Sequence, residues 1–189
     1  MKRFDPTLDA QYTRIFMAAA WPTTRNGFVV VVGEHRQERI AGRPVLVVLD
    51  DVADSRLWDL VTKLAALREF YHPERVLADT EHIAAMQFAS RYPLLTIEPA
   101  LLTCMDGPLA YALPVVKRHL ESKRLVLSPG SGLRGELLTP PGHEDPAKLK
   151  LDDYPGLAAV SFALLALDSV GANDARPRQI DADTSGRVL

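Results

Sequence analysis

Phe28-Val29-Val30-Val31-Val32 is the stretch that decides the fold. Four consecutive β-branched residues behind an aromatic one favour an extended chain, and so short an apolar run predicts a buried strand. Two further apolar runs flank it, at residues 12–20 and 44–50. Asn26-Gly27 favours a turn, and the charged residues 33–43 are predicted to form a link that turns at Ala41-Gly42. The chain is therefore predicted to open with three strands that pair as an antiparallel meander.

The hydrophobic period changes after the third strand. From Ser55 to Tyr71 apolar residues recur at helical spacing, with Asp54 or Ser55 as the predicted N-cap. Predicted strands and helices then alternate, at residues 75–79, 81–91, 94–97 and 109–123. Strands that alternate with crossover helices indicate parallel pairing. The predicted fold class is α/β, with a mixed five-stranded sheet (three antiparallel strands, then βαβ units) flanked by helices.

Two carboxylates stand directly before the most apolar helical run of the chain. Asp152-Asp153-Tyr154-Pro155 leads into an alanine- and leucine-rich segment that ends near Val170. Asp153 can cap this helix by accepting a hydrogen bond from its first turn, where Pro155 is also well tolerated. Two interpretations stay open, a well-capped core helix and one wall of a metal site.

Composition favours one domain, predicted at residues 1–170, with a polar and disordered tail at 171–189. The chain has 189 residues, of which 47% are hydrophobic and 24% charged, enough to bury a core. The net charge of −2 means that any surface for nucleic acid must be local. The candidate is a basic cluster of Lys117, Arg118, Lys123 and Arg124, for which a solvated helix end is the alternative.

The single cysteine and the absence of long apolar runs indicate the compartment. Cys104 alone can form neither an internal disulfide nor a cysteine-built zinc site, which suits a reducing cytoplasm. No apolar run approaches the roughly 20 residues of a membrane span, so we expect no membrane contact.

Three stretches, taken in order, carry a resemblance to a known family. They are Arg75-Val76-Leu77-Ala78-Asp79-Thr80, the helix and extended segment at 117–127, and Asp152-Asp153-Tyr154-Pro155. Together they resemble the C-terminal nuclease domain of phage terminase large subunits, a ribonuclease-H-like domain, over about residues 12–170.

The resemblance implies a phage or prophage protein that processes DNA by metal-dependent phosphodiester hydrolysis. It implies Mg²⁺ or Mn²⁺ as cofactor, with Asp79, Asp152 and Asp153 as ligands and Asp79 and Asp153 as the catalytic pair. Oxygen ligands are those that both ions prefer. DNA and phage packaging proteins are the implied partners.

The sequence departs from the family pattern in two ways, and the first departure supports an alternative. The family has an acidic residue in the first strand, but Ala18-Ala19-Ala20 stands there and no carboxylate lies between Asp9 and Glu34. Asp50, Asp51 and Glu81 are the candidates to replace it. The sequence also lacks the G-x-x-x-x-G-K-[ST] motif of the packaging ATPase. The alternative is a catalytically inactive ribonuclease-H-like domain that serves as a binding or assembly module in DNA packaging.

Overall fold

One mixed sheet organises the protein. A computed structural model describes residues 6–22, 26–78, 98–99, 108–138 and 153–174. The strands are β1 (Tyr12–Ala20), β2 (Gly27–Ile40), β3 (Arg43–Asp54), β4 (Arg75–Ala78), β5 (Glu98–Pro99) and β6 (Leu125–Leu127). They lie in the order β5-β4-β1-β2-β3-β6. β1, β2 and β3 pair antiparallel, whereas β4 runs parallel to β1, β5 to β4 and β6 to β3.

The predicted fold class is confirmed, and the structure adds one strand to it. Leu125–Leu127, predicted only as a short extended segment, pairs with Leu46–Val48 as the sixth strand. The strand predicted at 94–97 and the helix predicted at 81–91 lie outside the described residues. β5 directly follows that part of the chain.

Five helices are described beside the sheet. They are α1 (Pro6–Gln11), α2 (Leu57–Tyr71), α3 (Pro108–Glu121), α4 (Arg134–Leu138) and α5 (Pro155–Asp174). The N-cap of α2 is Arg56, so the predicted cap at residue 54 or 55 is wrong. Asp54 instead contacts the backbone just before the helix, where its Oδ1 accepts the Arg56 N–H at 3.0 Å. α5 continues four residues past the domain end predicted at 170. Of the helices described, none has the length and apolarity to cross a membrane.

Two apolar layers form on the two faces of the sheet. Successive side chains of a strand point to opposite faces, and β1 divides accordingly. Phe16, Ala18 and Ala20 belong to the layer covered by α5. Met17 and Ala19 belong to the layer covered by α2. Alanines on β1 and along α5 allow the final helix to lie close to the sheet, which is why its residues 155–164 are all buried.

A two-stranded arm extends the β2–β3 hairpin beyond β1. Residues 33–43 were predicted as a charged link with a turn at Ala41-Gly42; the turn is confirmed, with φ of 50° and 77°. The rest of the link is strand, since β2 continues to Ile40. Residues 36–40 are exposed, and Arg36 Nη2 donates to the carbonyl oxygen of Asp9 on α1 at 2.9 Å. His35 Nδ1 accepts the N–H groups of Gln37 and Glu38 where the pairing register breaks.

Candidate functional site

β1 and β4 end side by side at one end of the sheet. Their last described pair is Ala19 with Ala78, in parallel register. Asp79 follows Ala78 directly in the chain. Asp79 itself lies outside the described residues, as does Asp152.

α5 begins at this same end. Pro155, the first residue of α5, lines a cavity of about 350 Å³ together with Asn26, Phe28 and Glu136. Phe28 is the β-sheet partner of Ala20, the last residue of β1. Asp153, two residues before Pro155, is exposed. The last residues of β4 and the start of α5 therefore lie toward the same end of the sheet, which we call the helix-start end.

The first strand offers no carboxylate at the helix-start end. Ala18 and Ala20 face α5 and are fully buried. Within the residues that the structure describes, no three His, Cys, Asp or Glu side chains group closely enough to hold a metal ion. Asp153 is the described member of the predicted ligand set. A metal site at this end would therefore depend on Asp79 and Asp152.

A different carboxylate binds the first turn of α5. Glu136 Oε2, on α4, accepts the Leu157 N–H at 2.8 Å. A negative charge at a helix N-terminus is favourable because the free N–H groups and the helix dipole both point there. Gly156 permits the approach, since a Cβ at that position would lie 2.4 Å from Leu133 Cδ2 and 3.0 Å from Glu136 Oε2. No sequence motif points to Glu136, because its partner is 21 residues away.

A β-bulge before Asp50 and Asp51 decides which of them faces α5 and which faces α2. Val31 pairs with Asp50 and Val32 with Val48, so β3 has one extra residue at this point. Asp50 Oδ2 accepts the Tyr71 Oη–H at 3.4 Å on the α2 face. Burial, together with the charge and hydrogen bond of Asp50, raises the pKa of Tyr71 to about 12.

Asp51 lies on the face that α5 covers. Its sheet partner is Val30, which packs in the α5 layer. Its Oδ2 accepts the Gly132 N–H at 2.8 Å, across 81 residues of sequence. A carboxylate that replaces a first-strand acid beneath α5 must lie on the α5 face of the sheet. Asp51 lies on that face, whereas Asp50 lies on the α2 face. Glu81 lies outside the described residues.

The predicted basic cluster divides at the end of α3. Lys123 adopts φ 55°, and the N–H groups of Lys123 and Arg124 donate to the carbonyl oxygens of Leu120 and His119, both at 2.9 Å. This is the hydrogen-bond pattern of a Schellman motif, which ends a helix with one left-handed residue. Arg118 and Lys123 are exposed and Lys117 is half-buried. Arg124 is only 8% exposed, and its Nε–H donates to the Pro44 carbonyl at 3.2 Å, so it belongs to the sheet edge.

Comparison with solved structures identifies the fold. The nuclease domain of the large terminase g2p from bacteriophage SPP1, solved with bound Mn, matches with a TM-score of 0.59 and 15% identity, over 87% of this chain and 92% of that one. The chain has the fold of a large terminase nuclease domain. The large terminase nuclease of thermophilic phage G20c also matches, with a TM-score of 0.53 and 14% identity, over 77% and 80% of the two chains. Neither a protein-family model nor a curated protein sequence matches this chain.

Another matching large terminase is much longer than this chain. It comes from a second thermophilic bacteriophage and matches with a TM-score of 0.61 and 12% identity, over 88% of this chain but 41% of its own. The chain thus spans about two fifths of that protein. The resemblance found in the sequence to a terminase nuclease domain is confirmed at the level of the fold.

Proposed function

We propose that this terminase-type domain processes DNA by hydrolysing phosphodiester bonds with Mg²⁺ or Mn²⁺. One observation carries the proposal: β4 ends directly before Asp79 at the same end of the sheet where α5 begins, two residues after Asp153. The fold is shared with an SPP1 nuclease domain that contains Mn. Converging acidic residues at such a point are what a divalent-cation site requires.

Asp79, Asp152 and Asp153 are the proposed metal ligands, with Asp79 and Asp153 as the catalytic pair. Bound divalent ions would supply an activated water and stabilise the charge on the leaving oxygen. Ligand number and charge set the affinity for hard cations. Because Ala18 and Ala20 contribute no carboxylate, we expect metal binding to be weak.

The DNA contacts in this proposal come from the end of α3. Lys117, Arg118 and Lys123 stand at the surface there, and lysine and arginine at a surface bind backbone phosphates without reading sequence. Phage packaging proteins are the proposed partners and the cytoplasm the proposed location, as for a protein that acts during packaging.

A cleavage assay tests this proposal. The protein is incubated with supercoiled plasmid and Mn²⁺, with EDTA as the metal-free arm. We expect nicking or linearisation that EDTA abolishes and that Asp79→Asn reduces by at least about a hundredfold, the scale of losing a group that acts on the transition state. Asp59→Asn is the matched control. Asp59 lies on α2, which covers the face of the sheet opposite α5, and it pairs with Arg56 at the surface. Absent cleavage, or cleavage that Asp79→Asn leaves unchanged, would refute the proposal.

A second candidate is a catalytically inactive module that binds DNA or a packaging protein. The full burial of Ala18 and Ala20 beneath α5 favours it, because an apolar first strand suits packing rather than metal binding. This candidate predicts that duplex DNA or a packaging protein shifts the protein in size-exclusion chromatography while plasmid stays intact. Robust metal-dependent cleavage would exclude it.

A further inference from the structure

The β2–β3 arm ends at the opposite end of the sheet from the helix-start end. β1 pairs with β2 only as far as His35, and β6 pairs with β3 only over Leu46–Val48. Residues 36–43, which we call the arm tip, therefore have no sheet neighbour among the described strands, and every one of them is exposed. From Tyr12, which pairs with His35, to Ala20 along β1 is about 25 Å at the usual rise of a strand. The arm tip is thus separate from the proposed metal site.

Positive charge is concentrated in the arm tip. It holds three arginines, Arg36, Arg39 and Arg43, and one carboxylate, Glu38. The arm tip therefore has a formal surplus of two positive charges, in a chain whose net charge is −2. Of the described carboxylates, none forms an ion pair with any of these arginines. The surplus faces solvent, where it attracts polyanions.

Hydrogen bonds order the backbone that carries these arginines. β2 has extra residues between Glu34 and Arg39, where its pairing register against β3 shifts. Within this irregular stretch, His35 Nδ1 accepts the N–H groups of Gln37 and Glu38 at 3.3 and 3.0 Å. An ordered backbone lowers the entropic cost of binding a ligand.

Two of the arginines are placed by contacts on either side of the arm tip. Arg36 Nη2 donates to the backbone carbonyl of Asp9, and because this acceptor is uncharged, the guanidinium group keeps its full charge. Arg43 pairs with Ile40 across the turn at Ala41-Gly42. The positive φ angles of this turn, 50° and 77°, are those of a tight two-residue hairpin.

We propose that the arm tip binds duplex DNA through its backbone phosphates. Guanidinium groups are planar donors that match pairs of phosphate oxygens, and they stay charged at physiological pH. A small anion would reach only part of this exposed surface, whereas a duplex carries about one charge per 1.7 Å of its axis and presents phosphates to all three arginines. The major groove of B-DNA also admits a two-stranded β-ribbon.

The inference goes beyond the proposed function. It adds a DNA contact far from both the metal site and the end of α3, and it holds whether or not the domain cleaves DNA. It can therefore be tested in EDTA, without cleavage. A labelled DNA duplex is titrated by fluorescence anisotropy at several salt concentrations.

The test variant combines Arg39→Gln with Arg43→Gln. It removes two exposed cations and spares the hydrogen bond of Arg36. The matched control combines Arg56→Gln with Lys63→Gln. It also removes two positive charges, but beside α2 on the other face of the sheet, where each is paired with a carboxylate. Thermal unfolding checks that both variants keep the fold.

We expect the test variant to weaken duplex binding at least about tenfold. It should also make the salt dependence shallower by about two units of slope, one for each lost phosphate contact. The control should leave both quantities close to those of the parent protein. Glu38→Gln, which removes the carboxylate of the arm tip, should strengthen binding.

The inference is overturned if the parent protein does not bind the duplex, if the test variant binds it as well as the parent does, or if the control loses as much affinity. A labelled oligoglutamate of equal charge is the second probe. If it binds as tightly as the duplex, the arm tip recognises acidic protein, and the assignment to DNA is wrong. The plasmid assay reports on hydrolysis separately, so cleavage together with unchanged affinity of the test variant would refute this inference and leave the proposed function standing.

Discussion

The two ends of the sheet differ in what they offer a ligand. At the helix-start end, the first strand presents Ala18 and Ala20, both buried. At the other end, three strands and the segment before β6 bring arginines and Glu34 around a cavity. The proposed metal ligands follow β4 and precede α5 at the helix-start end, whereas Arg14, Glu34 and Arg43 lie about 20 Å away, by the rise of a strand.

This difference separates what the fold specifies from what side chains specify. The fold places the end of β4 and the start of α5 at the same end of the sheet, and the small side chains of β1 let α5 lie close to it. Whether that end of the sheet holds metal depends on carboxylates that this β1 does not provide. The same backbone can therefore support catalysis, binding or both, depending on the side chains at each end of the sheet.

The largest effect is expected when a carboxylate is placed in β1. Ala20→Asp should lower the free energy of unfolding by about 3–5 kcal/mol in EDTA, because it leaves a buried charge without a partner. Mn²⁺ should restore part of the loss if Asp79 and Asp153 share the site, which thermal unfolding with and without Mn²⁺ would measure. Ala19→Asp is the control, since Ala19 faces α2. An equal Mn²⁺ response of both variants would contradict a metal site at the helix-start end.

The next effect concerns the carboxylate that holds α5 in place. Glu136→Ala should lower the free energy of unfolding by about 1–3 kcal/mol, since the Leu157 N–H loses a charged acceptor. Glu69→Ala, on the exposed surface of α2, should change it by less than about 0.5 kcal/mol. Urea denaturation measures both. If the two variants lose equal stability, Glu136 does not anchor the start of α5.

A smaller effect, of opposite sign, is expected at the end of α3. Lys123→Gly should raise the free energy of unfolding by about 0.5–1 kcal/mol, because glycine adopts the positive φ of this position without strain. Lys117→Gly, inside α3, should lower it by about 1 kcal/mol. Each variant loses one positive charge, so duplex titration of the pair separates charge from stability. Stabilisation by both variants, or by neither, would contradict the Schellman assignment.

The smallest effect lies on the α2 face and tests the bulge in β3. Because the pKa of Tyr71 is raised to about 12 from its ordinary 10.0, the folded state keeps a proton that the unfolded state loses between these values. Stability should therefore be fully present below about pH 10 and fall as pH rises toward about 12. Tyr71→Phe should remove this part of the fall, and Asp50→Asn should reduce it. Identical alkaline unfolding curves for the parent and Tyr71→Phe would show that burial and Asp50 do not raise the pKa of Tyr71.

The sheet could be predicted because local sequence encodes it. Short local patterns were enough to predict three elements: the valine run of β2, the helical period of α2 and the strand at 75–78. The charged residues 33–40 led to a wrong prediction, because strand formation in the β2–β3 arm depends on pairing across the turn rather than on burial.

The surroundings of the candidate site could not be predicted because they depend on distant contacts. Glu136 reaches Leu157 across 21 residues, and Asp51 reaches Gly132 across 81. One extra residue in β3 decides which of Asp50 and Asp51 faces α5, and alternation along a single strand cannot reveal a bulge. Arg124 was grouped with its neighbours in sequence, yet the Schellman turn separates it from them.

Paramagnetic broadening of backbone amide NMR signals by Mn²⁺ tests the central claim most directly. The claim is that divalent metal binds at the helix-start end and not at the opposite end of the sheet, near Arg14 and Arg43. Substoichiometric Mn²⁺ should broaden the amide signals of Ala20, Ala78 and Asp153 and spare those of Arg14 and Arg43, and Asp79→Asn should remove the effect. No site-specific broadening, or broadening centred on Arg14 and Arg43, would contradict it.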